Sequence, residues 1–276
     1  MVEDKLITVL VNRLLGHPVA SMLAAIGITV DPQHALPDYF VTAVIIVLAF
    51  MAFVLWLKPR LSAERPGAAQ QICEGLLTNQ VKFGIRDLLD DNIHHGGRKF
   101  MAMVGTVGIF VLLCNLVSVI PAFNAPTGHP SVPLACAVIT FCYFNWMGLA
   151  QHGVGGYMKM FAGIKEFTFG SILLACLLFP VEIISTSARL LSLTVRLWAN
   201  MFSSELLYTI FLGIFLLPVQ TFFSKNDVAV GAILGIFPAT IPVAFIGLHI
   251  FVAVIQAFVF TILPSVYLGM AVAEEH

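Results

Sequence analysis

The sequence predicts an all-α polytopic membrane protein, and three observations carry the prediction. The 276 residues are 59% hydrophobic and only 11% charged, with a mean hydropathy of +0.96. That leaves too little polar surface to cover a soluble domain. Uncharged runs at Tyr39–Leu57, Phe100–Pro121 and Val132–Ala150 each come close to or exceed the ~20 residues of a spanning helix. Two much longer apolar segments follow, Phe167–Leu217 and Val228–Val272.

The N-terminal stretch 1–37 reads as an extracytoplasmic segment. Glu3 and Asp4, with breaks at Asn12-Arg13 and Gly16-His17-Pro18, argue against a cleavable signal. Leu6, Val9, Leu10, Arg13 and Leu14 predict a short amphipathic helix along the membrane surface. Asp31-Pro32 and Leu36-Pro37-Asp38 predict a turn before the first span.

Lys58, Arg60 and Arg65 end that span, and Pro66-Gly67 breaks the chain. Residues 69–92 predict one amphipathic surface helix. Ile72, Leu76, Val81, Ile85, Leu88 and Leu89 oppose Glu74, Lys82, Arg86 and Asp87. His94-His95-Gly96-Gly97 reads as a solvated linker, since two adjacent histidines alone make no metal site. Phe123–Pro130 predicts a turn between the second and third spans. Gln151–Glu166 predicts a polar loop.

Pro218 and Ser224-Lys225-Asn226-Asp227 separate the two long segments. As helices, each exceeds a ~30 Å hydrocarbon core about twofold. Hydropathy alone would divide each into two spans. Gly231, Gly235, Pro238, Pro242 and Gly247 permit bending and close helix approach in the second.

Charge sets the orientation. Nine Lys and Arg lie in 58–99 and 151–166, against three at the N-terminus and Lys225. The positive-inside rule then places the nine in the cytoplasm, with the N-terminus outside and the C-terminus inside. A net charge of −1 excludes a nucleic-acid binder held by charge. The cysteines at 73, 114, 136, 142 and 176 lack metal-ligand spacing, and most read as small core residues. No cofactor motif and no Gly-rich phosphate loop occurs.

Four ionisable residues interrupt the first long segment: Glu182, Arg189, Arg196 and Glu205. Each costs roughly 2.5–3.5 kcal/mol at membrane depth on insertion scales, so each needs a partner or a function. At about 100° per residue, Glu182, Arg189 and Arg196 share a narrow stripe, widened by Ser192 and Asn200. Glu205, nine residues past Arg196, points the other way. Gln256 follows His249 by seven residues and shares its face.

Two runs carry a resemblance. Ser192-Leu193-Thr194-Val195-Arg196-Leu197-Trp198-Ala199-Asn200-Met201, followed by Glu205-Leu206, resembles the signature of subunit a of the F-type ATP synthase. His249 to Gln256, Ala257-Phe258-Val259-Phe260, Val266-Tyr267-Leu268 and the terminal Glu274-Glu275-His276 resemble the bacterial branch of that family. Weaker matches lie at Asn115–Pro121, Pro126-Thr127 and Pro180–Ser185. The resemblance covers roughly residues 38–276.

It implies a subunit-a membrane domain over 38–276. There the two long segments form a hairpin (167–272) of long, tilted helices around a c-subunit ring. Arg196 would be the stator arginine facing that ring. Glu205 and His249 would lie together across the hairpin, in the half-channel open to the outside. Gln256 would neighbour Arg196, with Asn200 and Ser192 on the path. The implied partners are the c-ring, b-type peripheral stalk subunits and, through them, the F1 head. The implied site is a bacterial inner membrane.

The residues support these roles without deciding all of them. Arg196 keeps its proton at any working pH, so it acts as a fixed charge and not as a carrier. It would favour the ionised form of a passing ring carboxyl and block direct leakage. The plainer reading pairs it with Glu182 for packing. Glu182 and Arg189 fit a proton exit path and a neutralised pair at the cytoplasmic end equally well. A carboxyl and an imidazole can exchange protons near neutral pH, which suits Glu205 and His249. A lone histidine on an apolar helix is otherwise a core residue.

One departure stands out. Many bacterial members carry a carboxylate three residues before the proline ending the second span, where this chain has Ser118. Ser118, Asn115 or water could serve there instead. Two other classes remain in view. A secondary transporter with a site at Arg196 and Glu205 would show paired repeats, and none occurs. An intramembrane enzyme would need a nucleophile–base pair or a metal motif. As a stator subunit, the chain performs no catalysis alone.

Overall fold

The computed structural model describes residues 6–78, 84–93, 97–120, 123–162, 169–225 and 228–272. Val81, Lys82, His94-His95-Gly96, Lys165, Glu166, Asn226-Asp227 and the terminal Glu274-Glu275-His276 lie outside them. So does the packing at Gly231, Gly235, Pro238 and Pro242. Among the described residues there are eight α-helices and no strand. They are α1 (Leu6–Ala25), α2 (Asp38–Leu57), α3 (Ala68–Leu77), α4 (Ile85–Asn92), α5 (Met101–Val117), α6 (Ser131–Ala162), α7 (Phe169–Lys225) and α8 (Val228–Val272). Six of them are long and apolar enough to cross a membrane. The all-α polytopic class is as the sequence predicts.

Four boundaries differ from expectation. The N-terminal helix is not short: α1 runs 20 residues through Gly16-His17-Pro18 and joins the candidate spans. Proline inside a helix removes one backbone bond, and at membrane depth that loss is tolerated. The expected helix 69–92 is two helices. Thr78 ends α3 with φ −139° and ψ 50°, and Gly84 caps the start of α4. The expected loop 151–166 is helical to Ala162, interrupted only at Gly153. α7 passes Pro218 and ends at Lys225. The cysteines also divide: Cys114 and Cys136 are buried, while Cys142 and Cys176 are exposed, outside any core.

The chain forms two compact units. One holds residues 52–109, 130–196 and 257–276. Its core follows the helical period. Ile85, Leu89 and Ile93, four apart, meet Phe100 and Val104 of the α5 region, Phe144 of α6 and Leu268, Ala271 and Val272 of α8. Gly153 has φ 68° and ψ 170°, which only glycine adopts freely. The chain turns back there, and the Tyr157 hydroxyl donates to Asn145 Oδ1 at 2.9 Å. Gly148 makes room for the Tyr157 ring and the Ala271 carbonyl. At Gly269 the missing side chain lets α8 approach the Asn92 carbonyl. Asn92 Nδ2 donates to Leu88 O at 2.6 Å and to Ser265 Oγ at 3.3 Å beside it.

The other unit holds residues 1–51, 110–129 and 197–256. Asn12, 3% exposed, fastens α1 to the segment before α2. Its Nδ2 donates to Leu36 O and its Oδ1 accepts from Leu36 N–H, each at 2.9 Å. Asp31 caps the 3₁₀ turn Pro32–His34 by accepting from Gln33 N–H. The contacts between α7 and α8 here run in opposite directions along the two helices. Asn200 meets Gln256, Ser204 meets His249, and the Phe211 and Phe245 rings stack at 4.2 Å. This is an antiparallel hairpin.

The approach at Gly269 gives a test. Gly269→Ala would place a methyl group against a backbone carbonyl that cannot turn aside, and should destabilise the subunit by about 1–3 kcal/mol. A lower melting temperature of the purified complex would report it. Gly155→Ala, with nothing within 4 Å, should leave that temperature unchanged.

Candidate functional site

α7 is exposed on one side and buried on the other around its ionisable centre. Ser192, Arg196 and Asn200 are exposed at four-residue steps, continued by Ser203. Leu193, Leu197 and Met201 form the opposite, buried row, the last two fully. The helical period therefore sets Arg196 outward, and the predicted stripe of 192, 196 and 200 is one face. No described residue makes an ion pair with Arg196. Glu182 pairs instead with Arg189, at 3.8 Å, with 39% and 31% of the two side chains exposed. The Arg189 guanidinium also lies 5.3 Å from the Tyr267 ring centroid. The packing pair of Arg196 with Glu182 does not form.

Glu205 and His249 face the same small space. Ser118, Val119, Glu205, Ile246 and His249 line a cavity of ≈ 20 Å³, room for about one water. His249 is 6% exposed. Its Nδ1 lies 2.5 Å from Ser204 Oγ and its Nε2 lies 2.7 Å from Ser118 Oγ. Nε2 is also 3.3 Å from the Asn115 carbonyl. Glu205 Oε1 accepts the Ala125 backbone N–H at 2.6 Å. Gly128 lies against the other carboxylate oxygen, where a Cβ would stand 2.7 Å from Oε2.

The loop that holds Glu205 is itself anchored by buried polar groups. Thr127 Oγ1 donates to Asn115 Oδ1 at 2.6 Å, and both residues are fully buried. Proline at 126 starts the short 3₁₀ turn Pro126–Gly128 that carries Ala125 and Gly128 to the carboxylate. His129, next in the chain, stacks on Tyr39 of α2 with ring centroids 3.9 Å apart.

Gln256 is 2% exposed and its Oε1 accepts from Asn200 Nδ2 at 3.0 Å. Gln256 Nε2 and Asn115 Nδ2 are buried with no partner among the described residues. Of the residues picked from the sequence, Glu205 with His249 and Asn200 with Gln256 are thus brought together. Ser204 and Ala125 are residues around the site that the sequence did not single out, and Thr127 entered only through the weaker match at Pro126-Thr127. Of the first two, Ser204 alone carried a signal, since it lies four residues past Asn200 on the helix that bears Glu205.

Residues 39–269 match the family described as ATP synthase A chain. The chain belongs to the ATP synthase subunit a family. It is 34% identical to the ATP synthase subunit a of Koribacter versatilis over 270 residues, which is 98% of this chain and 97% of the relative. It is 37% identical to that of Solibacter usitatus over 239 residues, 86% of this chain and 88% of the relative. The Nitratiruptor ATP synthase subunit a is 32% identical over 207 residues, 75% and 77% of the two chains. This subunit a is a multi-pass membrane stator subunit of an F-type ATP synthase, and not one of its catalytic subunits.

The packing at Gly128 makes the Glu205 position testable. Gly128→Ala would displace the carboxylate from the Ala125 N–H, because a side-chain end yields before backbone does. Proton conduction should fall several-fold while the complex still assembles. Proton-flux assays on membrane vesicles, beside the amount of subunit in the purified complex, would check both halves.

Proposed function

We propose that this subunit carries protons from outside to the c-subunit ring through Glu205, His249, Gln256 and Asn200. Arg196 is the fixed charge that faces the ring. The observation that carries the reading is the outward position of Arg196. A guanidinium is always charged. At the middle of a candidate span (Ala175–Phe211), and without a described ion-pair partner, it needs an anion from another chain. A carboxyl on a ring of small subunits meets that need. Beside Arg196 the carboxyl favours its ionised form, so it gives up the proton it carries and then turns away to take another.

The inlet is the cavity shared by Glu205 and His249. It has room for the single water that a proton transfer needs between groups not in direct contact. Asn200, bonded to Gln256, lies one helical turn past Arg196 along α7, and Ser192 lies one turn before it. The Glu182–Arg189 pair is long and partly exposed, hence within reach of water, and we assign it to the exit side. The c-ring, the b-type peripheral stalk and, through that stalk, the F1 head are the partners. The membrane is the bacterial inner membrane; with α1 lying along its outer face and the other five candidate spans crossing, the N-terminus is outside and the C-terminus in the cytoplasm. Residues 1–37 form the extracytoplasmic segment and 38–276 the membrane domain.

Arg196→Ala should abolish both ATP synthesis and ATP-driven proton pumping while the complex still assembles, because a surface charge is lost and no packing. Pumping at near the wild-type rate in such membranes would sink the stator assignment.

Glu205 and His249 should behave as one unit. Glu205→Gln and His249→Ala should each slow proton flux strongly, and the double variant should lose little more than either. Flux measured on all three variants decides it, with fully additive losses arguing against a shared path.

A further inference from the structure

Both ring nitrogens of His249 are met by serine hydroxyls, and the role proposed above uses neither serine. Ser118 follows the last residue of α5. Its Oγ lies 2.7 Å from Nε2 and donates to the Asn115 carbonyl at 2.8 Å. Ser204, on α7, places its Oγ 2.5 Å from Nδ1. The ring is almost wholly buried between them.

An imidazole carries one N–H when neutral and two when charged. A partner that only donates, or only accepts, suits one of these states. A hydroxyl suits both, since it can turn its hydrogen toward the ring or away from it. The Asn115 carbonyl can only accept. With Ser118 donating to that carbonyl, the Ser118 oxygen is left to accept from Nε2–H. Nδ1 then bears the lone pair, and the Ser204 hydroxyl donates to it. When a proton binds at Nδ1, the new N–H donates to Ser204 Oγ and the serine hydrogen turns aside. The imidazolium then has both hydrogens placed on oxygen, and no heavy atom has moved.

We propose that Ser118 and Ser204 are positioning residues for proton transfer at His249, holding its ring and accepting its hydrogens while it is charged. One proton is bound at the bare nitrogen and one is later released from either nitrogen. No other bond forms or breaks. Ser118 lines the cavity shared with Glu205 and faces the nitrogen that already bears hydrogen, while Ser204 faces the nitrogen that binds the proton. The inference rests on the assignment of His249 to the proton path.

Paired substitutions of one shape isolate the hydroxyl. Ser118→Val and Ser204→Val remove it and Ser118→Thr and Ser204→Thr keep it. A hydrogen bond to a charged group is strong enough that each valine variant should cut ATP-driven proton pumping by about tenfold or more. Each threonine variant should recover most of that loss. The assay uses vesicles bearing the whole complex, with the amount of subunit in the purified complex as the check on assembly. Where a valine variant fails to assemble, the smaller Ser→Ala takes its place with the same expected loss. Valine (or alanine) and threonine variants that pump alike, whether well or poorly, would overturn the proposal, because shape and not the hydroxyl would then matter. His249→Ala separates the two failures. If it pumps normally, the proton-path reading itself is wrong. If it stops pumping while the hydroxyl-free variants continue, only the role of the serines is lost.

Discussion

The antiparallel register of α7 and α8 is the constraint on which the candidate site depends. Eleven residues separate Asn200 from Phe211, and eleven separate Gln256 from Phe245, so the first and last contacts fix one alignment over three turns. Ser204 and His249 meet between them. A slip of one turn would move α8 by about 5.4 Å along α7. Neither the amide pair nor the histidine contact would survive it. Both polar contacts are partly buried, so breaking them costs more than breaking a fully exposed pair. The Phe211–Phe245 stack adds an apolar pin at the far end. Register is thus held by side chains that the proposed proton path also uses.

Glu205 depends on a second support, the loop after α5. A carboxylate at this depth needs donors. It receives one from the Ala125 backbone, on a turn held by Thr127 and the fully buried Asn115. Asn115 serves twice, because its side chain anchors the loop and its carbonyl stands beside His249 Nε2. The end of α5 therefore ties the carboxyl and the imidazole to one residue, without a direct bond between them. The space left over has room for about one water.

The charged part of the site was legible in the sequence, and the neutral part was not. Arg196, Glu205, His249 and Gln256 stand out because ionisable and amide groups in apolar segments are costly, and helical spacing sorts them into faces. Ser118 drew notice chiefly as a departure from its relatives, and Asn115 as its neighbour and as the start of a weaker match. Thr127 entered only through the weaker match at Pro126-Thr127, and Ser204 drew none. Serine and threonine commonly satisfy themselves on a carbonyl one turn back, as Thr186 does on Glu182, so their presence in an apolar helix signals nothing. The fold divides in the same way. Uncharged length found the spans. Continuation through Pro18 and Pro218 was hidden, because a proline costs one bond that neighbouring structure can absorb. The reversal at Gly153 was hidden because Gln151-His152-Gly153-Val154-Gly155-Gly156 has the composition of a loop, while its φ of 68° at one residue lets two helical pieces meet.

Glu205, His249, Asn200 and Gln256 each form a hydrogen bond within this chain, whereas no described residue makes an ion pair with Arg196. That asymmetry has a physical reason under the stator reading. An internal carboxylate at Arg196 would neutralise it permanently, and the guanidinium could then do no work on a passing group. Leaving it outward makes the charge available, at a cost in isolation of a few kcal/mol. The same cost favours any anion that approaches and opposes its departure unless another takes its place. A ring of identical carboxyls, as proposed, would supply that succession. The inlet residues have the opposite requirement, since a histidine or carboxylate that moved with each proton would lose its alignment at each step. Fixing these through neutral hydroxyl and amide partners, and leaving the arginine without a described ion-pair partner, would separate the groups that must stay still from the charge that must meet something moving.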